Sequence, residues 1–187
     1  PDPPQMQIAA SGGAITKISD GGVNPHFGKD NDRIFFQTRD GDQTKLVSVD
    51  LSGGAKRVHA SGDLLTDYQV SPDGRHLAFR DNWAAYVMPM TPGPQEIAAG
   101  KSASATPVVK ASEGGSAYLS WSGPGEIRWT LGPTLFSARV ADMIPSAPAD
   151  PDIKEPKKFT PPGSGADLSV TARADKPAGV TVIRNAR

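Results

Sequence analysis

The chain has 187 residues, 20 lysines and arginines against 20 aspartates and glutamates, and no cysteine. That length suits one domain, or one domain with an extension. Zero net charge predicts no general attraction to nucleic acid or anionic membranes, and a chain without thiols has no disulfides and no thiolate metal sites. Twenty glycines and 18 prolines favour short strands and turns over helices, and no run is long and apolar enough to span a membrane.

In chain order, the first stretch, PDPPQMQIAA, has neither the basic start nor the apolar core of a secretion signal. GGAITKIS (12–19) follows as a strand. FGKDNDRIFF (27–36) then sets an apolar residue, a polar turn and the apolar pair Ile34 and Phe36. VSPDGRHLAF (70–79) repeats the plan with Pro72 pre-setting φ, Asp73 bonding nearby backbone and Gly74 free for positive φ. WSGPGEIRWT (121–130) repeats it again around Gly-Pro-Gly, with a turn one residue shorter. Each unit reads as a β-hairpin. The leading residues stand 43 apart (27 to 70) and 51 apart (70 to 121), periods that suit one four-stranded repeat each.

Each hairpin is followed by a further apolar strand: KLVSVDL (45–51), AAYVMPM (84–90) and TLFSARV (134–140). KISDGG (17–22) and KASEGG (110–115) echo one another as an outer strand end and the loop into the next unit. TPGPQEIAAGKSASA (91–105) reads as a solvent loop inserted before the outer strand TPVVKAS (106–112). Units are therefore expected near 23–62, 64–112 and 116–142. Residues 143–166 are rich in proline and lysine and read as an extended connector, with KKF a candidate edge addition. DLSVTARA and GVTVIRNA, split by DKPAG, read as a C-terminal hairpin over 167–187. An ordinary antiparallel sandwich is the alternative architecture. No segment shows a 3.6-residue period, so helix should be scarce.

The candidate chemistry is sparse. His26, His59 and His76 are separated by 33 and 17 residues, too far apart for a metal motif. His26 falls on a strand that would run nearest a central channel and is a candidate for ligand or interface contact. His59 is expected to be solvated on an outer strand, and His76 to lie at the surface beside its turn. No serine sits in a Gly-x-Ser-x-Gly elbow, and GKDND lacks the spacing of a calcium loop. Trp121 and Trp129 are expected to form a cross-strand aromatic pair. Trp83, in the turn RDNWAAY, is the candidate interface anchor.

VSPDGRHLAF followed by AAYVMPM resembles the PD40 repeat, the WD40-like blade of TolB-type propellers. GGAITKISDGGVNPHF, SAYLSWSGPGEIRWTLGPTLFSARV and PAGVTVIRNAR resemble, in that order, the latter part of the propeller that precedes the amidohydrolase domain in large bacterial proteins. The resemblance implies an all-β fold: an incomplete β-propeller of about three four-stranded antiparallel blades over 1–142, a Pro-rich connector over 143–166, and over 167–187 a hairpin like the start of the amidohydrolase small β-domain. It implies a non-catalytic scaffold or docking role and no cofactor in this chain. A metal would belong to a downstream domain opened by a His-x-His motif, which this sequence does not contain. Implied partners are the remainder of the polypeptide or other copies of the chain, two three-blade arcs approaching a ring, with a protein or peptide ligand; the implied location is periplasmic or secreted. A stand-alone TolB-like interaction module and the propeller of a prolyl-oligopeptidase-like serine peptidase are the other readings.

Overall fold

The structure is a computed structural model that describes residues 2–97, 106–144, 158–174, 179 and 182–184. It is all-β apart from one turn of helix. The first sheet holds β1 (Gln5–Gln7) and β2 (Thr16–Ser19). The second runs from β3 (Val23–Phe27) through β4 (Arg33–Asp40) and β5 (Gln43–Asp50) to β6 (Arg57–Asp63). The third runs from β7 (Thr66–Val70) through β8 (His76–Asp81) to β9 (Ala84–Pro89). Two short strands follow: β10 (Gln95–Glu96) joins the second sheet beside β6, and β11 (Val109–Lys110) joins the third beside β9. The fourth sheet holds β12 (Ala117–Trp121), β13 (Glu126–Leu131) and β14 (Thr134–Arg139); after the helix α1 (Val140–Met143), β15 (Ala166–Asp167) completes it.

The repeat inferred from sequence is present residue for residue. Phe27 opposes Ile34, Val70 opposes Leu77 and Trp121 opposes Ile127. The apolar pairs that follow are all buried: Ile34 with Phe36, Leu77 with Phe79, and Ile127 with Trp129. In the Ser-Pro-Asp-Gly turn, Gly74 takes φ 71° and its N–H donates to the Ser71 carbonyl at 2.8 Å. Ser71 Oγ donates to Asp73 at 2.6 Å, and the Asp73 carboxylate also accepts the Arg75 N–H.

Alternation along each strand gives every sheet two faces, and the faces stack in chain order. Ile18 of the first sheet meets Ile34, Phe36, Val47 and Val49 of the second. The opposite face of the second sheet, with Phe35, Leu46 and Ala60, meets Tyr68, Leu77, Phe79 and Met88 of the third. The small residues Ala78, Ala85, Val87 and Ala111 on the far side of the third sheet receive Leu119, Ile127 and Trp129 of the fourth. Large side chains set against small ones let the layers interdigitate. Among the described residues the sheets form no closed barrel or ring.

Several expectations change. The 91–105 stretch is not solvent loop throughout: Gln95–Glu96 pairs in parallel with Ala60–Ser61, and the Ile97 N–H donates to the Ser61 carbonyl at 2.8 Å. Two residues of pairing leave no hydrophobic pattern to read. Gly62 permits this approach, because a Cβ there would lie 2.7 Å from the Ile97 carbonyl oxygen. The outer strand of the fourth sheet comes from the junction of connector and expected hairpin, as Ala166–Asp167 against Leu135 and Thr134; of KKF, Lys158 and Phe159 form no strand and Lys157 lies outside the described residues. Most of the connector, 145–157, lies outside the described residues, as does much of the expected C-terminal hairpin; the described part of 168–174 forms no strand.

Candidate functional site

The starts of the three inner strands share an unusual backbone. Asn24, Asp67 and Tyr118 each stand second in their strand, with φ of 55°, 53° and 51°. Each sits in a register shift against the neighbouring strand, between Val23 and His26, Thr66 and Gln69, and Ala117 and Ser120. Asparagine and aspartate tolerate the left-handed region, whereas a tyrosine adopts it only at a cost in backbone strain. The three equivalent bulges turn three side chains out at one end of the stack.

Arg80 ties this end together. Its Nε lies 2.9 Å from Asp67 Oδ2, and its Nη1 donates to the Ser116 carbonyl at 2.8 Å. Asn24 Nδ2 donates to the other Asp67 oxygen at 3.3 Å. The network thus runs from the second sheet through the third to the loop entering the fourth. The hairpin turns at the same end are stitched to the following inter-sheet loops. The Asp42 carbonyl accepts the Leu64 N–H at 2.9 Å, and the Trp83 carbonyl accepts both the N–H and Oγ of Ser116.

Trp83 occupies the second position of a two-residue turn with positive φ at both Asn82 and Trp83, the geometry whose twist matches paired strands. Its backbone is engaged, so its indole projects and is 73% exposed. The Arg80 guanidinium carbon lies 6.0 Å from the ring centroid. A groove of about 340 Å³ runs past it, lined by Asp63, Leu64, Thr66, Arg80, Asp81, Asn82 and Trp83. Leu64 is exposed in that groove, and Tyr118 is exposed on the neighbouring inner strand. This end of the stack therefore offers exposed apolar side chains on a hydrogen-bonded frame.

His26 is on an inner strand, as expected, but its ring is committed. Its Nε2 accepts the Val70 N–H at 3.1 Å, and its Nδ1 lies 3.0 Å from the Asn24 carbonyl. That pattern requires the neutral ring protonated on Nδ1. From the other side, Trp121 Nε1 donates to the Gln69 carbonyl at 2.9 Å. Gln69 C=O and Val70 N–H belong to one peptide group, so the middle inner strand is clasped from both neighbouring sheets. Burial holds the His26 pKa below its usual value, partly offset by the Asn24 bond.

The expected Trp121–Trp129 pair does not form. Trp129 stacks on Phe136 at 5.9 Å, while Trp121 reaches back to the third sheet, near His76. His59 is half-buried rather than solvated. Its Nε2 is 2.7 Å from Ser48 Oγ, and its ring tilts against Phe35 at 4.8 Å. Burial first, then Arg33 and Arg57, push its pKa down to about 4. The Ser48–His59 contact has the geometry of a nucleophile and its base, but Ser48 is fully buried and also accepts from Arg33 Nε at 2.8 Å. No substrate reaches it, and the pair reads as packing. His76 is likewise half-buried, with Nδ1 inaccessible and without a hydrogen-bond partner.

Among the described residues no three histidine, cysteine, aspartate or glutamate side chains could hold a metal ion together, and no helix is long and apolar enough to cross a membrane. No protein-family model matches the chain, and no curated protein is significantly similar to it.

Proposed function

We propose that this chain is a non-catalytic, propeller-type β scaffold of the PD40 kind within a larger amidohydrolase-type protein, and that it docks a protein or peptide partner beside Trp83. The observation that carries the docking role is the exposed indole of Trp83 beside Leu64, mounted on the Arg80–Asp67–Asn24 network. A rigid polar frame beside an exposed aromatic suits recognition, because the anchor loses little freedom on binding. The turn chemistry of VSPDGRHLAF and the recurring inner-strand bulges support a blade-like repeat. The hydrolase assignment rests on the likeness of VTVIRNAR, after a Pro-rich connector, to the entry of an amidohydrolase domain. Any catalytic metal would be bound by that downstream domain, and a periplasmic or secreted location follows from the same likeness.

The gene sequence beyond Arg187 tests the hydrolase part. A His-x-His motif soon after a strand supports it, and its absence from a continuing reading frame overturns it. The docking part is tested by Trp83→Ala in the full-length protein. Loss of partner or substrate-peptide affinity of tenfold or more, with unchanged melting, is the expected result. The second reading, a stand-alone TolB-like interaction module, is favoured by the same exposed end and predicts a stop codon there instead.

A further inference from the structure

The groove beside Trp83 is uneven in charge. Its cation, Arg80, is already used: Nε holds Asp67 at 2.9 Å, Nη1 donates to the Ser116 carbonyl, and the side chain is 19% exposed. Asp63, by contrast, is exposed at the end of β6 and has no ion-pair partner among the described residues. Asp81, also in the lining, is 7% exposed. Burial first, and the Asp81 charge with it, raise the Tyr68 and Tyr86 phenols above their usual pKa, Tyr68 to about 12. Asp42, whose carbonyl accepts the Leu64 N–H, stands exposed beside the groove. Groove and frame together set Asp63, Asp67 and Asp81 against Arg80 alone, so the field in the groove is negative.

The apolar part of the groove is held out deliberately. The turns equivalent to Asn82–Trp83 in the second and fourth sheets are Gly41–Asp42 and Gly132–Pro133. Neither carries a large apolar side chain. Trp83 takes φ 70° and Leu64 takes φ 56°, a region costly for such residues, and both side chains lie exposed. Strain kept at exposed apolar residues marks a site rather than a core. The Arg80 guanidinium carbon, 6.0 Å from the Trp83 ring centroid, already uses the ring as a cation acceptor. Most of the indole remains in water.

These features select among occupants. An anion would meet Asp63 and Asp81 and find Arg80 engaged. A wholly apolar segment would bury the Asp63 carboxylate without a partner, which is costly. A lysine or arginine satisfies both halves of the groove, because its stem is apolar and its head is charged.

We propose that the groove binds a cationic peptide segment, an arginine or lysine whose aliphatic stem lies on Leu64 and whose head meets Asp63 and the exposed indole of Trp83. This rests on the reading of Trp83 as the docking anchor and adds the chemistry of the partner.

The test titrates the whole chain with short capped peptides that differ only in a central arginine, lysine, glutamine or glutamate between two leucines. Binding is read by NMR at the Trp83 indole N–H and at the backbone amides of Leu64 and Asn82. The arginine and lysine peptides should bind at least about fivefold more tightly than the glutamine peptide, with glutamate weakest. Raising salt from about 20 to about 500 mM should weaken the arginine peptide and leave the glutamine peptide unchanged. Asp63→Asn should erase the difference between arginine and glutamine, with amide resonances away from the groove unmoved. Arginine no tighter than glutamine, a preference unchanged in Asp63→Asn, or no response to any peptide overturns the proposal. The two readings fail separately. Trp83→Ala that still binds the arginine peptide at Leu64 and Asn82 overturns the docking anchor itself. Loss of binding in Trp83→Ala with an unchanged preference in Asp63→Asn leaves the anchor standing and overturns the cationic chemistry.

Discussion

The two outward faces of the stack differ more than any two of its interfaces. At the N-terminal end Met6, Ile8, Ile15 and Phe27 are exposed; on the outward face of the fourth sheet Ser120, Arg128, Thr130, Ser137 and Arg139 outnumber the apolar Leu135. The same repeat built both ends, so the contrast lies in side-chain choice rather than in backbone. A strand keeps period two whether or not its outer side chains are apolar. The sequence of one face therefore reports whether that face meets another layer. By this measure the second sheet is covered along its length by the third and the third by the fourth, whereas the first sheet covers the second through Ile18 and leaves Phe27 exposed.

The largest expected effect lies in a complete interface. Trp129 is buried between the third and fourth sheets and stacks on Phe136. Trp129→Ala should cost about 3–5 kcal/mol by removing a large apolar group and leaving a cavity. Phe27→Ala in the same chain should change stability by no more than about 0.5 kcal/mol, because the ring is mostly in water already. Urea unfolding of both variants checks the contrast. Comparable losses would mean that the first face is covered in solution.

Acid should come next. His26 and His76 are held below their usual pKa chiefly by burial, and His59 down to about 4. The unfolded chain then binds more protons than the folded one between the ordinary value near 6.5 and those lowered values. This contribution is present in full above about pH 6.5 and is lost as pH falls towards 4. Protonated His26 can no longer accept from Val70, and protonated His59 places a half-buried charge near Arg33 and Arg57. Melting followed from pH 7 to pH 4 should show the decline, and His59→Gln should flatten it. An unchanged slope in that variant would place the titration elsewhere.

What the sequence discloses and what it conceals divide along the same lines. Turn residues and the apolar pairs after them mark the three hairpins, because local chemistry decides both. The exposed position of Trp83 is legible for the same reason, since a two-residue turn leaves its second side chain outside. The burial of His59 is not, because it depends on Ser48 and Phe35 from two other strands. Nor is the role of Trp121, whose indole bonds a carbonyl 52 residues earlier. The bulges at Asn24, Asp67 and Tyr118 share no residue type, so only superposed backbones expose them. β15 escapes notice because two residues paired across a long connector carry no periodicity.

A smaller effect is expected at the clasp, which binds complete and incomplete halves together. His26→Ala leaves the Val70 N–H without its acceptor, and Trp121→Phe removes the donor to Gln69. Each should cost about 1–2 kcal/mol, the scale of an unpaired buried polar group. His26→Gln, which keeps an acceptor, should recover part of the loss in urea unfolding at pH 7. Losses below about 0.3 kcal/mol would show that water replaces these bonds and that the inner strands are held by apolar contact alone.

The smallest effect on stability, yet the sharpest on the comparison, concerns association of the 1–187 chain. Met6, Ile8, Ile15 and Phe27 make the N-terminal end the more apolar of the two outward faces, so copies are expected to meet through two N-terminal faces rather than head to tail. A head-to-tail ring of two arcs would set Arg128 and Arg139 against Phe27. Desolvating two ion-paired guanidinium groups against an apolar ring opposes that contact. Arg128 Nε already holds Glu126 at 2.7 Å and Arg139 Nε holds Asp142 at 3.1 Å, both pairs partly exposed. Weak, concentration-dependent dimers through the N-terminal face are therefore expected. Phe27→Asp should abolish them in sedimentation velocity while changing the unfolding free energy by about 0.5 kcal/mol or less. Arg139→Asp, at the polar end, should leave the dimers intact. If Arg139→Asp disperses them and Phe27→Asp does not, the two ends have been assigned the wrong way round.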